Sequence, residues 1–327
     1  MKRKALCALL ILMMVLSLCA CGSSSKTSDS GEKSEDKQEE KSEEKGKLEK
    51  VSIEEQVLCD QDGVKVTATG LDGFNLNVTV ENNTDKSIGV LPHKLAVNNC
   101  MMQAYSDTDL MPAMGFIDMA EDPTFAESTG QYMSVTAKAG ETVEGLLTVY
   151  YEEKCDLASI GLVNLALYIY DGASHEELFR TELTEIQTSA YDKMEELEKP
   201  DGTEICNKEG MQIIVTDLEE DESGWYNLEL YVDNQSDKDI SLSFPYADTA
   251  EEAQEYVNGG TMITDGNILS GKKALITTRM SKEVSLFTDN GMEDKERENI
   301  IINIYDMNDL QNGFITCTNP VAIADVK

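Results

Sequence analysis

Val80-Glu81-Asn82-Asn83-Thr84-Asp85-Lys86-Ser87-Ile88 and Val232-Asp233-Asn234-Gln235-Ser236-Asp237-Lys238-Asp239-Ile240 are one phrase written twice. Each leaves a segment of strict alternation. Phe74, Leu76, Val78 and Val80 alternate with Asn75, Asn77, Thr79 and Glu81, and Tyr226, Leu228, Leu230 and Val232 do the same in the second copy. A period of two with one apolar face is the signature of a half-buried antiparallel strand. The Asn/Asp/Ser/Thr clusters that follow are turns, because these side chains bond their own backbone.

Further anchors recur in the same order. Val57–Val64, with Asp62-Gly63, matches Glu204–Met211, with Glu209-Gly210, and both mark a turn that opens a strand. Val97-Asn98 before Met102 matches Val257-Asn258 before Met262, Gly140 matches Gly271, and Ile169-Tyr170-Asp171 matches Ile304-Tyr305-Asp306. Leu165, Leu167 and Ile169 align with Ile300, Ile302 and Ile304 as a late core strand. Short strands at this spacing, with little helical periodicity, predict an all-β fold with one β-sandwich per copy. Domain 1 is expected over 51–189 and domain 2 over 203–327, with Phe74 and Tyr226 at equivalent inward positions. Residues 190–202 form the linker, where Asp192 would cap a short helix that Pro200 stops.

The anchors resemble a family of immunoglobulin-like domains in surface lipoproteins of Gram-positive bacteria. Copy 2 fits its pattern through Val257-Asn258-Gly259 and Gly271-Lys272, whereas copy 1 departs at Asn99 and Glu141. The resemblance implies two tandem immunoglobulin-like β-sandwich domains and brings neither catalytic residues nor a ligand.

The N-terminal residues give an address. Lys2, Arg3 and Lys4 precede an apolar run from Ala5 to Leu18, which is short for a membrane span. Leu18-Cys19-Ala20-Cys21 resembles the lipobox of bacterial lipoproteins. That implies a signal peptide over 1–20, cleavage after Ala20 and a diacylglyceryl (palmitate-type) anchor on the Cys21 sulfur. Two acyl chains hold a protein stably where one does not. The expected location is the extracytoplasmic face of the cell membrane. Residues 21–50 carry Leu48 as their one sizeable apolar side chain and form a disordered tether spanning about 30 Å as a random coil.

The formal net charge is −35, and residues 51–327 hold 17 basic against 53 acidic side chains. A body this acidic excludes electrostatic binding of nucleic acid. Only two histidines occur, His93 and His175. Pro92 places His93 on an edge strand, and His175 reads as an exposed turn or strand start. Asp60-x-Asp62-Gly63 lacks the further ligands of a calcium loop and reads as a turn. No phosphate loop, nucleophile elbow or paired Cys-x-x-Cys occurs in the body, and no cofactor is expected. Besides Cys21 the mature chain holds Cys59, Cys100, Cys155, Cys206 and Cys317. Cys206 and Cys317 fall on the first and last strands of copy 2, but copy 1 has no counterpart to the latter. A shared disulfide framework is not supported, and the thiols read as small buried apolar groups.

The copies differ most between Met102 and Gly140, where copy 1 is much longer. Six of the methionines fall between Met101 and Met133. Residues 103–131 are the candidate interaction stretch, with Met111, Met114, Phe116 and Met119 as partner-binding residues. Such a segment is too apolar to stay solvated, so it either packs back on the sandwich or offers apolar surface to an extracytoplasmic or cell-wall partner. The function expected is a non-enzymatic, membrane-anchored surface lipoprotein whose sandwiches bind or present a partner. Two alternatives stand beside it: extracytoplasmic copper handling through Met thioethers, and cell-wall hydrolysis by carboxylates.

Overall fold

The computed structural model describes residues 48–104, 117, 121–152, 154–255, 260–288, 291–309 and 313–326. The signal peptide, Cys21 and nearly all of the tether lie outside the described residues.

Copy 1 comprises β1 (Gln56–Gln61), β2 (Val64–Asp72), β3 (Asn75–Asn82), β4 (Ile88–Val97), β5 (Cys100–Ala104), the short helix α1 (Pro123–Thr129), β6 (Val135–Ala137), β7 (Thr142–Thr148), β8 (Leu162–Asp171), β9 (Glu177–Arg180) and β10 (Thr184–Gln187). Copy 2 comprises β11 (Thr203–Lys208), β12 (Met211–Glu220), β13 (Trp225–Asn234), β14 (Ile240–Pro245), α2 (Ala250–Glu255), β15 (Gly260–Ile268), β16 (Lys272–Ser281), the hairpin β17 (Glu283–Thr288) and β18 (Gly291–Glu296), then β19 (Asn299–Ile300), β20 (Asn303–Asp306), β21 (Phe314–Cys317) and β22 (Val321–Ala322). The fold is all-β.

The two copies share one strand order. The first sheet runs β1-β2-β3-β7 in copy 1 and β11-β12-β13-β16 in copy 2. The second runs β8-β4-β5 in copy 1 and β20-β14-β15 in copy 2, flanked by the hairpin partners β9 and β21. Even the late pairings match: Ile186 faces Val163 and Val321 faces Ile300. Hairpins β1–β2 and β11–β12 turn through Asp62-Gly63 and Glu209-Gly210, all four at positive φ. That is the type I′ geometry that suits strand twist. Gly140 and Gly271, at φ 72 and 70, open β7 and β16 in the same way.

Alternation puts Leu76, Val78 and Val80 of β3 into one core with Val90, Leu95, Leu165, Leu167 and Ile169. Leu228, Leu230 and Val232 of β13 enter the second core with Leu242, Ile302 and Ile304. Phe74 departs from expectation. It precedes β3 at the hairpin tip, is 38% exposed and leans on Tyr150 at 5.3 Å, whereas Tyr226 is buried. The inward series of copy 1 therefore begins at Leu76, because β3 leaves the sandwich one residue pair earlier than β13. Asp192 caps no helix: residues 191–193 make a single 3-10 turn without a side-chain cap. His93 is not on an edge either. β4 lies between β8 and β5, and Pro92 is accommodated there because the register slips between Pro92 and Lys94.

The repeated phrase forms the same latch twice. Asn82 Nδ2 donates to the carbonyls of Lys86 (2.8 Å), Ala137 (3.0 Å) and Lys138 (3.0 Å). Asn234 Nδ2 donates to those of Lys238 (2.8 Å), Ile268 (3.1 Å) and Leu269 (3.1 Å). Each Oδ1 accepts the backbone N–H and hydroxyl of the residue two ahead, Thr84 or Ser236. Both asparagines are fully buried. Lys86 then pairs with Asp171 at 2.8 Å, and Lys238 with Asp306 at 3.4 Å.

The sandwiches do not stand apart. Gly46–Lys327 forms one compact unit. The second sheet of copy 1 continues into the first sheet of copy 2, because β5 runs parallel to β16 with Cys100 opposite Lys273. Lys273 N–H donates to the Asn99 carbonyl at 2.8 Å. Ala96 and Met101 belong to the copy 2 core. Buried Lys272 donates to Asn99 Oδ1 and Asn164 Oδ1, each at 2.7 Å. Lys94–Asp239 (2.7 Å), Lys154–Asp265 (2.5 Å) and Lys273–Glu196 (3.1 Å) frame this seam.

Replacing either latch asparagine with alanine strands buried carbonyls, so Asn82→Ala and Asn234→Ala should each lower stability by roughly 3 kcal/mol. Asn83→Ala, at an exposed neighbouring position, should stay within about 0.5 kcal/mol. Urea denaturation of the three variants checks this, and equal effects at Asn82 and Asn83 would refute the latch.

Candidate partner-binding face

On the outer face of β4 and β8, Tyr170 matches Tyr305 of copy 2, but Tyr168 stands where copy 2 has Asn303. Gly89 faces Tyr170 and Leu91 faces Tyr168 across the pair. The Tyr170 ring lies directly over Gly89, where an added Cβ would sit 2.0 Å from the ring. A side chain at position 89 would therefore expel the tyrosine. Tyr168 and Tyr170 stack with centroids 5.9 Å apart. Ile117, fully buried, closes over Leu91, Tyr168 and Tyr170 as a separate small core.

Polar groups ring this patch. Tyr170 donates its hydroxyl to Glu121 Oε1 at 2.9 Å, and His175 Nε2 lies 3.7 Å from Glu121 Oε2. Burial, reinforced by the adjacent Glu121 carboxylate, holds the Tyr170 hydroxyl far above its ordinary range, so it stays a donor. His175 sits edge-on to Tyr170 at 6.0 Å. Its φ of 61 belongs to the tight turn after β8, in which Asp171 Oδ1 accepts the N–H groups of Ala173 and Ser174. Arg180, held by Glu177 through Nε (3.0 Å) and Nη2 (2.7 Å), lies over the Tyr168 ring at 5.9 Å. His93 is buried beside this face. Burial, with Arg180 and Lys94 nearby, pushes it down to about 4, so it is neutral at physiological pH.

The described residues of the copy 1 insertion cross this patch. Asp122 caps α1 by accepting the Thr124 N–H at 2.8 Å, and Gly130 ends the helix at φ 72. Between α1 and β6 lies an open cleft of about 400 Å³, lined by Glu121, Asp122, Glu127, Tyr132, Ser134 and Thr136 among others. Among the described residues its lining has three carboxylates, an exposed aromatic ring and no basic side chain. Such a cleft suits a cationic or hydroxyl-rich group. In copy 2 the corresponding connection is a short bulge in β15: the register on β14 moves from Asn267 to Met262.

Met111, Met114, Phe116 and Met119 lie outside the described residues. No group of three His, Cys, Asp or Glu side chains suited to a metal occurs among the described residues. No helix among them is long and apolar enough to cross a membrane. The sequence reading missed the Tyr168–Tyr170 face and Glu121. Only the Gly89-x-Leu91 and Tyr168-x-Tyr170 alternations hinted at it. It also missed exposed Trp225, which lines a second open cleft of about 530 Å³ with Ser223, Lys282 and Glu296 and has Arg279 over its ring at 5.4 Å.

By fold the chain is a tandem β-sandwich protein. No family model and no curated protein matches its sequence. Among solved structures it is similar to the exo-chitosanase CsxA of Amycolatopsis orientalis at 10% identity and a TM-score of 0.21. That match covers 80% of this chain and about a quarter (26%) of that one, a likeness too slight to carry an argument.

The turn that places His175 depends on an ionised Asp171. Lys86 and the two turn N–H groups hold this carboxyl from its ordinary 3.8 down to about 2. A depressed carboxylate contributes stability in full above its unfolded value, and that contribution disappears as pH falls toward the folded value. Asp171→Asn should therefore lose less stability than the wild type between pH 5 and pH 2. Denaturation at stepped pH measures it, and parallel profiles would refute the assignment.

Proposed function

We propose that this chain is a membrane-anchored surface lipoprotein that binds or presents a partner outside the membrane through its first sandwich, and catalyses no reaction. One observation carries the reading. The two copies close the same fold, yet only copy 1 inserts a long segment between its β5 and β6 strands, and that segment frames an acidic, tyrosine-lined cleft. Folding alone does not demand this insertion, since copy 2 folds with a bulge in its place. Long insertions in compact domains are commonly functional.

The insertion has two halves in this reading. Ile117 and Glu121 dock it onto Tyr168 and Tyr170, which accounts for part of its apolar content as packing. Met111, Met114, Phe116 and Met119 are the residues this reading assigns to the partner, since thioethers adapt to varied apolar contacts. The lipobox-like Leu18-Cys19-Ala20-Cys21 supports anchoring, and the acidic tether that follows supports presentation away from the bilayer.

Two experiments test the two parts. Cys21→Ala should abolish incorporation of a fatty-acid probe, and equal labelling of mutant and wild type would sink the anchoring. Glu127→Lys combined with Tyr132→Ala changes only solvent-facing side chains of the cleft, so the melting temperature should hold within about 2 °C. Proteins captured by cross-linking on intact cells should then be lost. An unchanged captured set at unchanged melting temperature would overturn the binding face.

A further inference from the structure

Of the five described cysteines, Cys59, Cys206 and Cys317 meet backbone carbonyls or a side-chain amide. Cys59 Sγ meets the Val64 carbonyl at 3.8 Å, and Cys206 Sγ meets the Met211 carbonyl at 3.9 Å, the same position in each copy. Cys317 accepts from Gln254 Nε2 at 3.9 Å. Cys206 and Cys317 belong to different apolar clusters of copy 2, so they are not the neighbours that their strands suggest. Cys100 and Cys155 differ from the other three. Cys100 Sγ lies 3.8 Å from the Lys154 carbonyl, and its thiol hydrogen-bonds the next residue, Cys155. Both are buried in the copy 1 core.

We propose that Cys100 and Cys155 form a disulfide as the chain folds outside the reducing cytoplasm. The inference rests on the extracytoplasmic reading given above, since disulfides persist in oxidising compartments. Hydrogen-bonded thiols lie farther apart than the S–S bond length of roughly 2.05 Å, so forming the bond draws the two sulfurs together. Cys155 lies outside the strands, in the segment between β7 and β8. A Lys154-to-Tyr151 turn and the Tyr150 hydroxyl, which donates to the Cys155 carbonyl at 2.6 Å and accepts the Leu157 N–H at 3.0 Å, aim Cys155 at β5.

The chemistry is thiol–disulfide exchange with a disulfide oxidant, either an oxidoreductase or oxidised glutathione. Exchange begins before burial encloses the pair, when either thiol, here Cys155, can ionise and reach the oxidant. The Cys155 thiolate attacks one oxidant sulfur and expels the other as a thiolate. Cys100, losing its proton to solvent, then attacks the mixed disulfide at Cys155 and expels the second. Two S–H bonds and the oxidant's S–S bond break, one protein S–S bond forms, and the oxidant leaves as two thiols with the two electrons and two protons. The product closes a loop of about 55 residues. It staples the β7–β8 segment to β5, the strand that joins the copies, beside the Lys154–Asp265 ion pair that already ties that segment to copy 2.

The test uses the full chain in two settings. Chain alkylated in intact cells at the moment of lysis is digested without reduction and searched for the Cys100–Cys155 linked peptide. In parallel, the purified full chain is unfolded and refolded in a glutathione redox buffer and mapped in the same way. The linked peptide in both, with Cys59, Cys206 and Cys317 alkylated, and a melting temperature about 5–10 °C above that of the Cys100→Ala/Cys155→Ala variant, is the expected result. No linked peptide in either setting overturns the proposal through its geometry. A linked peptide in glutathione with both thiols alkylated from cells overturns it through the compartment, and points back to the location rather than to the pair.

Discussion

A strand that leaves one sheet of a sandwich to enter the other exposes backbone carbonyls to the core, and those carbonyls must be bonded. In this protein one buried asparagine per copy meets that constraint. The Asn82 and Asn234 amides gather three carbonyls each from the crossing loop and from the strand behind it, while their oxygens tie the turn two residues ahead. Without them the first sheet would not be fixed over the second, since an unbonded buried carbonyl costs as much as a lost hydrogen bond. The register of β4 and β14, and with it every residue on the second sheet, follows from that crossing.

The two copies then diverge in what the second sheet meets. In copy 1 the edge strand β5 joins β16, so the edge that a free sandwich would leave open is closed by the neighbouring copy. Buried Lys272 has its proton affinity lowered by burial, yet Asn99 and Asn164 give its ammonium two oxygens. The seam is thus polar where the side chains meet and apolar where Ala96 and Met101 enter the copy 2 core. The irregular segment bearing Cys155 reaches the same seam, so the loop, the joining strand and copy 2 are mechanically one.

The outer face of copy 1 shows how a small residue creates a site. Gly89 leaves room for one tyrosine ring, and the ring's hydroxyl in turn docks Glu121 of the insertion. The insertion therefore has a defined footing while its cleft stays open and acidic. The strongly negative surface gives that cleft a long-range field that favours cationic groups and repels polyanions.

Much of the fold was legible because β-structure prints its period on the chain. The alternation in β3 and β13, the Asp62-Gly63 and Glu209-Gly210 turns and the doubled Asn-x-Ser/Thr phrase each follow from local backbone geometry. The lipobox-like residues and the acidic composition are likewise properties of sequence alone. What tertiary structure decided depends on groups distant in the chain. Phe74 reads as inward by alternation, but strand length puts it at a solvent-facing tip. Pro92 reads as an edge signal, but a bulge makes a central strand tolerate it. Cys100 and Cys155 carry no spacing motif and meet only because the β7–β8 segment folds against β5. Tyr170, Glu121 and His175 become neighbours only when the insertion crosses β4 and β8. Alternation reports which face a residue takes; it holds no record of which distant side chain will occupy the space beyond that face, since that is set by packing among all the elements at once.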